Sequence, residues 1–292
     1  MSGPAVSVVV RCRNEARDVG AVIDAVRAQR DAPPAEILAL DSGSTDGTLD
    51  VLASRGVHVE HLPAREFSFG RALNVGARLA RGELLVHLSA HCPPQSSSWL
   101  AALVAPFAAP DVVATFGRQV PVPGANPYEA LTQALMFPAT PPSPIRFSNA
   151  NGAARRAAVL VEPFDEDLPA AEDHLWATQV SPPGRIVYVP DAVVAHSHPM
   201  GWREWRHRFY INGVAAAVLA RRGVAPPWSD GTGRAAALRR LVTALAAGGH
   251  VRALALLPVY ALARTVWYAR GLRAGRQAPP PALHAGAAAS GA

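Results

Sequence analysis

The chain has 292 residues, half of them hydrophobic and 17% charged, enough apolar content to bury a core and too much for a disordered chain. Its basic residues are all arginine and alanine is abundant, the mark of a GC-rich genome and not of a mechanism. Charge is unevenly placed: residues 1–200 carry a formal net charge of −5, whereas residues 201–292 carry 13 Arg against Glu204 and Asp230, a net of +11, which fits contact with an anionic surface or acceptor and equally a solvated helix face.

Residues 6–10 are a short β-branched run, expected as a buried first strand. Residues 15–30 follow with Val19, Val22, Ile23 and Val26 at helical spacing, so one face is apolar. A second strand at 36–40 runs into a polar loop at 41–48, then a helix near 48–55 and a strand at 57–61. Residues 71–80 predict another helix, closed by Gly82, and 84–88 the next strand. Further on, 112–117, 186–189 and 192–196 read as strands and 138–144 as an irregular proline-rich loop. From Gly201 the pattern turns helical, with Trp202, Trp205, Phe209 and Tyr210 among Arg203, Arg206 and Arg208. Strands alternating with helices indicate a parallel, Rossmann-like α/β sheet. The expected organisation is an α/β domain over 1–200, a basic helical extension over 201–276 and a disordered tail over 277–292.

The amphipathic stretch 234–276 suits a membrane interface through Trp267 and Tyr268, and equally suits packing on the first domain or in a homodimer. The apolar run 253–263 is broken by Pro258 and bounded by Arg252 and Arg264, too short to span a bilayer. No signal-peptide pattern opens the chain, and Cys12 and Cys92 make neither a disulfide framework nor a C-x-x-C zinc pair. A cytoplasmic protein is expected, with peripheral membrane association as an option.

Ligands of open parallel sheets bind at the carboxyl ends of the strands. Three polar segments fall there: Arg11 to Glu15, including Asn14; Asp41 and Ser42 with their loop; and Ser89, Ala90 and His91. That convergence points to a nucleotide pocket, with Asp41 placed to accept from a pyrimidine N3–H or a ribose hydroxyl. Such a loop also serves simply as a turn and helix cap. Arg71 and Asn74, one helical turn apart, could offset diphosphate charge and tie the helix to a neighbouring loop.

Taken in order, the Cys-Arg-Asn-Glu segment at 12–15, the Asp-Ser-Gly-Ser-Thr-Asp-Gly-Thr loop at 41–48, Arg-Ala-Leu-Asn-Val-Gly-Ala at 71–77, Ala-Arg-Gly-Glu at 80–83 and the Glu-Asp pair at 172–173 resemble the family 2 glycosyltransferases of the GT-A fold, in particular bacterial rhamnosyl- and hexosyltransferase-like members. The resemblance implies a UDP-, dTDP- or GDP-sugar donor whose base is held by Asp41, and Asp173 as catalytic base with Glu172 in support. An inverting transfer needs such a carboxylate to take the acceptor hydroxyl proton. The same two acids also suit a helix N-terminus.

The resemblance also implies an Asp-x-Asp metal motif at the end of the fourth strand, where this chain has Ser89-Ala90-His91. An all-oxygen magnesium site is therefore not supported at that motif, although His91 can ligate manganese, nickel or zinc. A loosely similar Asp-x-His with a distant His occurs in polypeptide GalNAc-transferases, and His196 and His198 could supply the distant ligands. A divalent metal, Mn2+ or Mg2+, is the expected cofactor; direct bonding of the histidines to the diphosphate is the metal-free alternative.

On the acceptor side, Asn149, Asn151 and Gly152 match a family segment under the donor sugar, Arg118 lines the same pocket, and Trp176 could stack on a sugar ring. The implied partners are a nucleotide sugar and a small-molecule or glycan acceptor. The competing reading is a degenerate GT-A domain that binds nucleotide or sugar without catalysis. A nucleotidyltransferase lacks its basic phosphate loop here, and no nucleic-acid-reading motif is present.

Overall fold

The structure, a computed structural model, describes residues 5–143, 146–198, 201–226 and 234–277. The expected tail beyond Gln277 and Pro144 of the proline-rich loop lie outside them. In chain order the first half contains β1 (Val6–Cys12), α1 (Val19–Arg27), β2 (Ala35–Asp41), α2 (Thr48–Ser54), β3 (His58–His61), α3 (Phe69–Leu79), β4 (Leu84–Ser89), α4 (Trp99–Val104) and β5 (Val112–Val120). The second half adds α5 (Pro127–Met136), β6 (Asn151–Arg155), α6 (Arg156–Val161), α7 (Glu172–Val180), β7 (Arg185–Ala195), α8 (Trp202–Arg221), α9 (Arg234–Ala247) and α10 (Val251–Gln277).

The seven strands form one sheet in the order β3-β2-β1-β4-β6-β5-β7. All pairings are parallel except the two made by β6. Two reversals cancel, so β5 and β7 point the same way as β1, β2 and β4. The carboxyl ends of six strands therefore share one edge of the sheet with the amino end of β6, and that edge is where the site forms.

Side chains of β1 alternate between two cores. Val6, Val8 and Val10 face a cluster with Val19, Ile23 and Trp99, while Val9 faces Leu73, Phe164 and Trp176 on the other side. Gly76 of α3 lies so close to β1 that a Cβ there would meet Val9 Cγ1 at 2.7 Å. His87 of β4 is also fully buried, and neither ring nitrogen has a partner among the described residues.

Four local expectations change. The helix expected over 15–30 starts only at Val19 because the backbone amides of Glu15 and Ala16 donate to Thr48 Oγ1 and Asp46 Oδ2, holding the preceding turn as a loop. The two short strands expected at 186–189 and 192–196 are one strand, β7, whose register against β5 shifts between Gly117 and Gln119. Pro190, which lacks an N–H, sits in that irregular stretch. Helix α5 was not anticipated, and the segment around Asn151 is an antiparallel strand.

The helical extension is docked on the sheet domain. Tyr128 of α5 packs with Leu245, Ala253 and Leu257, and its hydroxyl donates to Ala253 O. Leu168 and Leu175 pack with Val218 and Leu219. Helices α8 and α10 meet through small residues: a Cβ on Gly271 would collide with Tyr210 O, and one on Gly275 would meet Ala217 Cβ at 2.8 Å. No helix among the described residues is long and apolar enough to cross a membrane.

Candidate active site

At the shared edge the acidic pair opens α7. Both Glu172 and Asp173 lie in the first turn of the helix, after Ala171, whose φ of 63° is a left-handed conformation that non-glycine residues seldom adopt. Glu172 is buried and accepts from Asn149 Nδ2 at 2.6 Å. Asp173 is half-buried and accepts from the amides of Asn149 (3.3 Å) and His174 (2.8 Å). Burial, reinforced by repulsion from Asp173, raises the Glu172 carboxyl to about 7, and burial raises Asp173 as well. Adjacent residues of a helical turn diverge, so the tightly held Glu172 and the more open Asp173 have different surroundings.

Arg11 completes this corner. Its Nη2 donates to Asn149 Oδ1 at 2.7 Å and Asn149 O at 2.9 Å, with Ser89 Oγ at 3.5 Å. Burial lowers its pKa while Glu172 and Asp173 raise it. Asn149 therefore bridges the cation on β1 and the carboxylates on α7. Its amide group is used within the protein, and a part in binding sugar hydroxyls is not what this conformation shows.

A second cluster lies at the ends of β4 and β7. The rings of His91, His196 and His198 are mutual neighbours, with centroids 5.1 Å (His91–His196), 5.2 Å (His91–His198) and 4.6 Å (His196–His198) apart. Each Nδ1 is held from outside: His91 by Glu15 Oε1 at 2.8 Å, His196 by Gln119 Oε1 at 2.5 Å and His198 by Glu129 Oε1 at 2.8 Å. The Nε2 atoms of His91 and His196 are buried with no hydrogen-bond partner among the described residues. Ligand atoms of His91, Cys92 and His196 lie within 4.8 Å of one another. Burial and the neighbouring positive groups depress His196 and His198, keeping both imidazoles neutral. Imidazoles oriented through one nitrogen, and in His91 and His196 unpartnered at the other among the described residues, fit a borderline transition metal far better than magnesium. Of the two ions expected from the sequence, the donor set suits Mn2+.

The residues expected to line the donor side reach this edge, but several are occupied with one another. Asp41 ends β2, and its buried carboxylate accepts from the amides of Gly43 (3.0 Å) and Ser44 (3.1 Å). Ser42 turns back to bond Cys12 O. Asn14 Oδ1 accepts from the Thr45 amide at 2.8 Å, joining the loops after β1 and β2. Ala90 is buried and bonds Arg11 O through its amide, which sets the position of His91. Arg71 is paired with Glu66 at 3.0 Å and Glu166 at 3.8 Å, so its charge is already offset. Asn74 ties α3 to the loop before α7 through both the amide and carbonyl of Phe164.

Three expected acceptor-side contacts are corrected. Trp176 is fully buried between Phe164 and Phe147, its Nε1 donating to Glu162 O, so it has no face for a sugar. Asn151 is also fully buried; it accepts from Trp99 Nε1 and donates to Arg118 O and Ala192 O, a full set of structural bonds. Gly152 makes room for protein, since a Cβ there would meet Ser148 O at 2.5 Å and the Phe147 ring at 2.8 Å. Arg118 remains at the edge, half-buried, with Nε unpartnered among the described residues.

Sequence reasoning missed Glu129 and Gln133, and the bond between Gln119 and His196. Gln133 Nε2 donates to His196 O at 2.6 Å, and Glu129 also accepts from the His198 amide. A faint signal was present: Glu129 and Gln133 are polar residues four apart, on one face of a segment that is otherwise apolar enough to pack.

The family model of glycosyl transferase family 2 matches residues 7–164, more than half of the chain. The chain belongs to glycosyl transferase family 2. Among curated relatives of this family 2 chain, the O-antigen chain rhamnosyltransferase RfbN of Salmonella typhimurium is 27% identical over 66% of this chain and 66% of its own length. The pre-mycofactocin glycosyltransferase of Mycobacterium tuberculosis is 29% identical over 76% of this chain and 49% of its own. The chain thus spans two thirds or less of the length of these relatives. Among solved structures, the mannosyltransferase PcManGT from Pyrobaculum calidifontis, in complex with GDP-Man and Mn2+, superposes with a TM-score of 0.59 at 26% identity, covering 94% of this chain and 86% of that one. Glucosyl-3-phosphoglycerate synthase from Mycobacterium tuberculosis shares the fold with a TM-score of 0.58 at 21% identity over 76% and 81% of the two chains. The GT-A architecture expected from the motifs is the one observed.

Proposed function

We propose that the protein transfers a sugar from a nucleotide-diphosphate donor to a hydroxyl of a glycan or small-molecule acceptor, with inversion at the anomeric carbon. The observation that carries this reading is the Glu172–Asp173 pair, poised beside Arg11 at the same sheet edge as the three histidines. Asp173 takes the acceptor proton as that oxygen attacks the anomeric carbon and the bond to the diphosphate breaks. Glu172, fixed by Asn149, holds the first turn of α7 in place. Arg118 faces the acceptor side. Asp41 and its loop, tied by Asn14 to the loop after β1, form the wall on which the base rests.

His91, His196 and His198, with Cys92 at the back, would hold the divalent ion. When bound, that ion supplies positive charge against the diphosphate. Glu15, Gln119 and Glu129 keep the three imidazoles turned toward it. The names of the relatives above support a sugar transfer, and the PcManGT complex supports a nucleotide sugar with Mn2+.

The test is Asp173→Asn. Calorimetric binding of UDP, GDP and dTDP with Mn2+ stays within about twofold of wild type while transfer falls by about 10²–10⁴-fold. Near-normal turnover would remove Asp173 from the role of base. The anomeric proton coupling of the product, read by NMR, decides inversion.

A further inference from the structure

Helix α10 is apolar on two opposite sides. Ala253, Leu257, Gly271 and Gly275 form its buried face. Half a turn away, Val251, Ala255, Val259, Leu262, Val266 and Ala269 recur every three or four residues on the exposed side. Val251 is 72% exposed, Leu262 65% and Val259 52%. An apolar stripe five turns long, with no covering element among the described residues, marks a contact surface.

The charge around the stripe is of one sign. From Arg234 to Gln277 the chain has eight arginines and no acid, and Arg252, Arg270 and Arg273 flank the stripe on the exposed surface. Beside it, along the seam with α8, lie two clefts. One is aromatic and apolar, lined by Trp202, Trp205, Tyr260, Leu256 and Val259. The other is basic, lined by Arg203, Arg206, His207, Tyr210 and Trp267, with the guanidinium groups of Arg206 and Arg270 lying 5.5 and 4.7 Å from the Trp267 ring centroid. Arginine and tryptophan at the border of an apolar strip match the headgroup level of a bilayer.

We propose that α10, lying flat with the seam of α8, docks this protein on a leaflet containing anionic lipid, the apolar stripe entering the acyl boundary and the arginines meeting phosphate headgroups. A second copy of the chain could bury the apolar stripe but would set one acid-free arginine surface against another, which disfavours a symmetric dimer through this face. The surface adjoins the histidine cluster, since Glu129, which holds His198, follows Tyr128 under the aromatic cleft. The inference is independent of the transfer chemistry.

The full chain is mixed with vesicles of equal parts phosphatidylglycerol and phosphatidylcholine, and with phosphatidylcholine alone, and sedimented. Binding to the anionic vesicles only, weakened by salt, is the expected result. Leu262→Glu with Val266→Glu lowers it by about tenfold or more, and Arg270→Gln with Arg273→Gln by a comparable factor. Wild-type tryptophan fluorescence is quenched by brominated acyl chains, a reading that needs no variant. Nucleotide binding in solution is unchanged in all of them, which separates this inference from the transferase reading. Absence of wild-type binding or of quenching overturns the proposal, as does equal binding to neutral vesicles. A dimer that Leu262→Glu dissolves in a protein that ignores lipid overturns it in favour of a second copy.

Discussion

Glu15 Oε1 lies 2.8 Å from Nδ1 of His91, joining the loop after β1 to the loop after β4. A carboxylate at Nδ1 keeps a proton on that nitrogen and leaves the lone pair on Nε2, which is buried and unpartnered among the described residues. Replacing Glu15 by Gln retains an acceptor of lower basicity. The expected result is a loss of Mn2+ affinity of roughly 10- to 100-fold by calorimetry, with an unchanged circular dichroism spectrum. Unaltered affinity would mean that the pair only packs.

The acidic pair sets the pH response. Burial and mutual repulsion raise Glu172 to about 7, and Asp173 is raised as well. A base must be ionised, so kcat/KM should climb with pH along an acid limb governed by the pair. Glu172→Gln removes the neighbouring charge and keeps an acceptor for Asn149. That limb should then move down by roughly one pH unit, and a limb that stays put argues against coupling of the two carboxyls.

His87 predicts the opposite trend in stability. Its burial in β4 depresses it from 6.5 to about 3. As pH falls through that window, the unfolded chain takes up a proton that the folded one refuses, so stability is lost toward acid. His87→Leu should therefore raise the melting temperature at about pH 5, by an increment worth about 2 kcal/mol, and raise it much less at about pH 8. Equal gains at both pH values would assign the effect to packing alone.

Asn151 separates scaffold from ligand contact. Removing its side chain leaves Trp99 Nε1 without its acceptor inside the core. Asn151→Ala should cost about 2–4 kcal/mol in chemical denaturation, while the folded protein keeps its KM for donor. A raised KM with intact stability would return Asn151 to the sugar site.

Much of the fold was legible because hydrophobic periodicity and polar strand ends are local signals. Val6 to Val10, the loop from Asp41 and the run at Arg71 each announced its element within a few residues. The reversal at β6 was not legible, because the segment from Asn149 to Arg155 is small and polar enough to pass for a ligand loop, and only its pairing with Leu84–Leu88 makes it a strand. Trp176 misled for a related reason: an aromatic beside an acidic pair looks available in sequence, and its burial is a property of the neighbours Phe147 and Phe164.

The sequence by itself determined the alternation of strands and helices, the family, the acids that open α7 and the three histidines, since each is carried by residue type and short-range spacing. The tertiary structure alone decided which polar groups are free. Asp41, Asn149 and Asn151 are bonded within the protein, whereas Nε2 of His91 and of His196 have no partner among the described residues, and Glu15 and Gln119 from separate elements hold those rings. A hydrogen bond between residues far apart in the chain depends on two strands ending at the same edge, and no local pattern encodes that meeting.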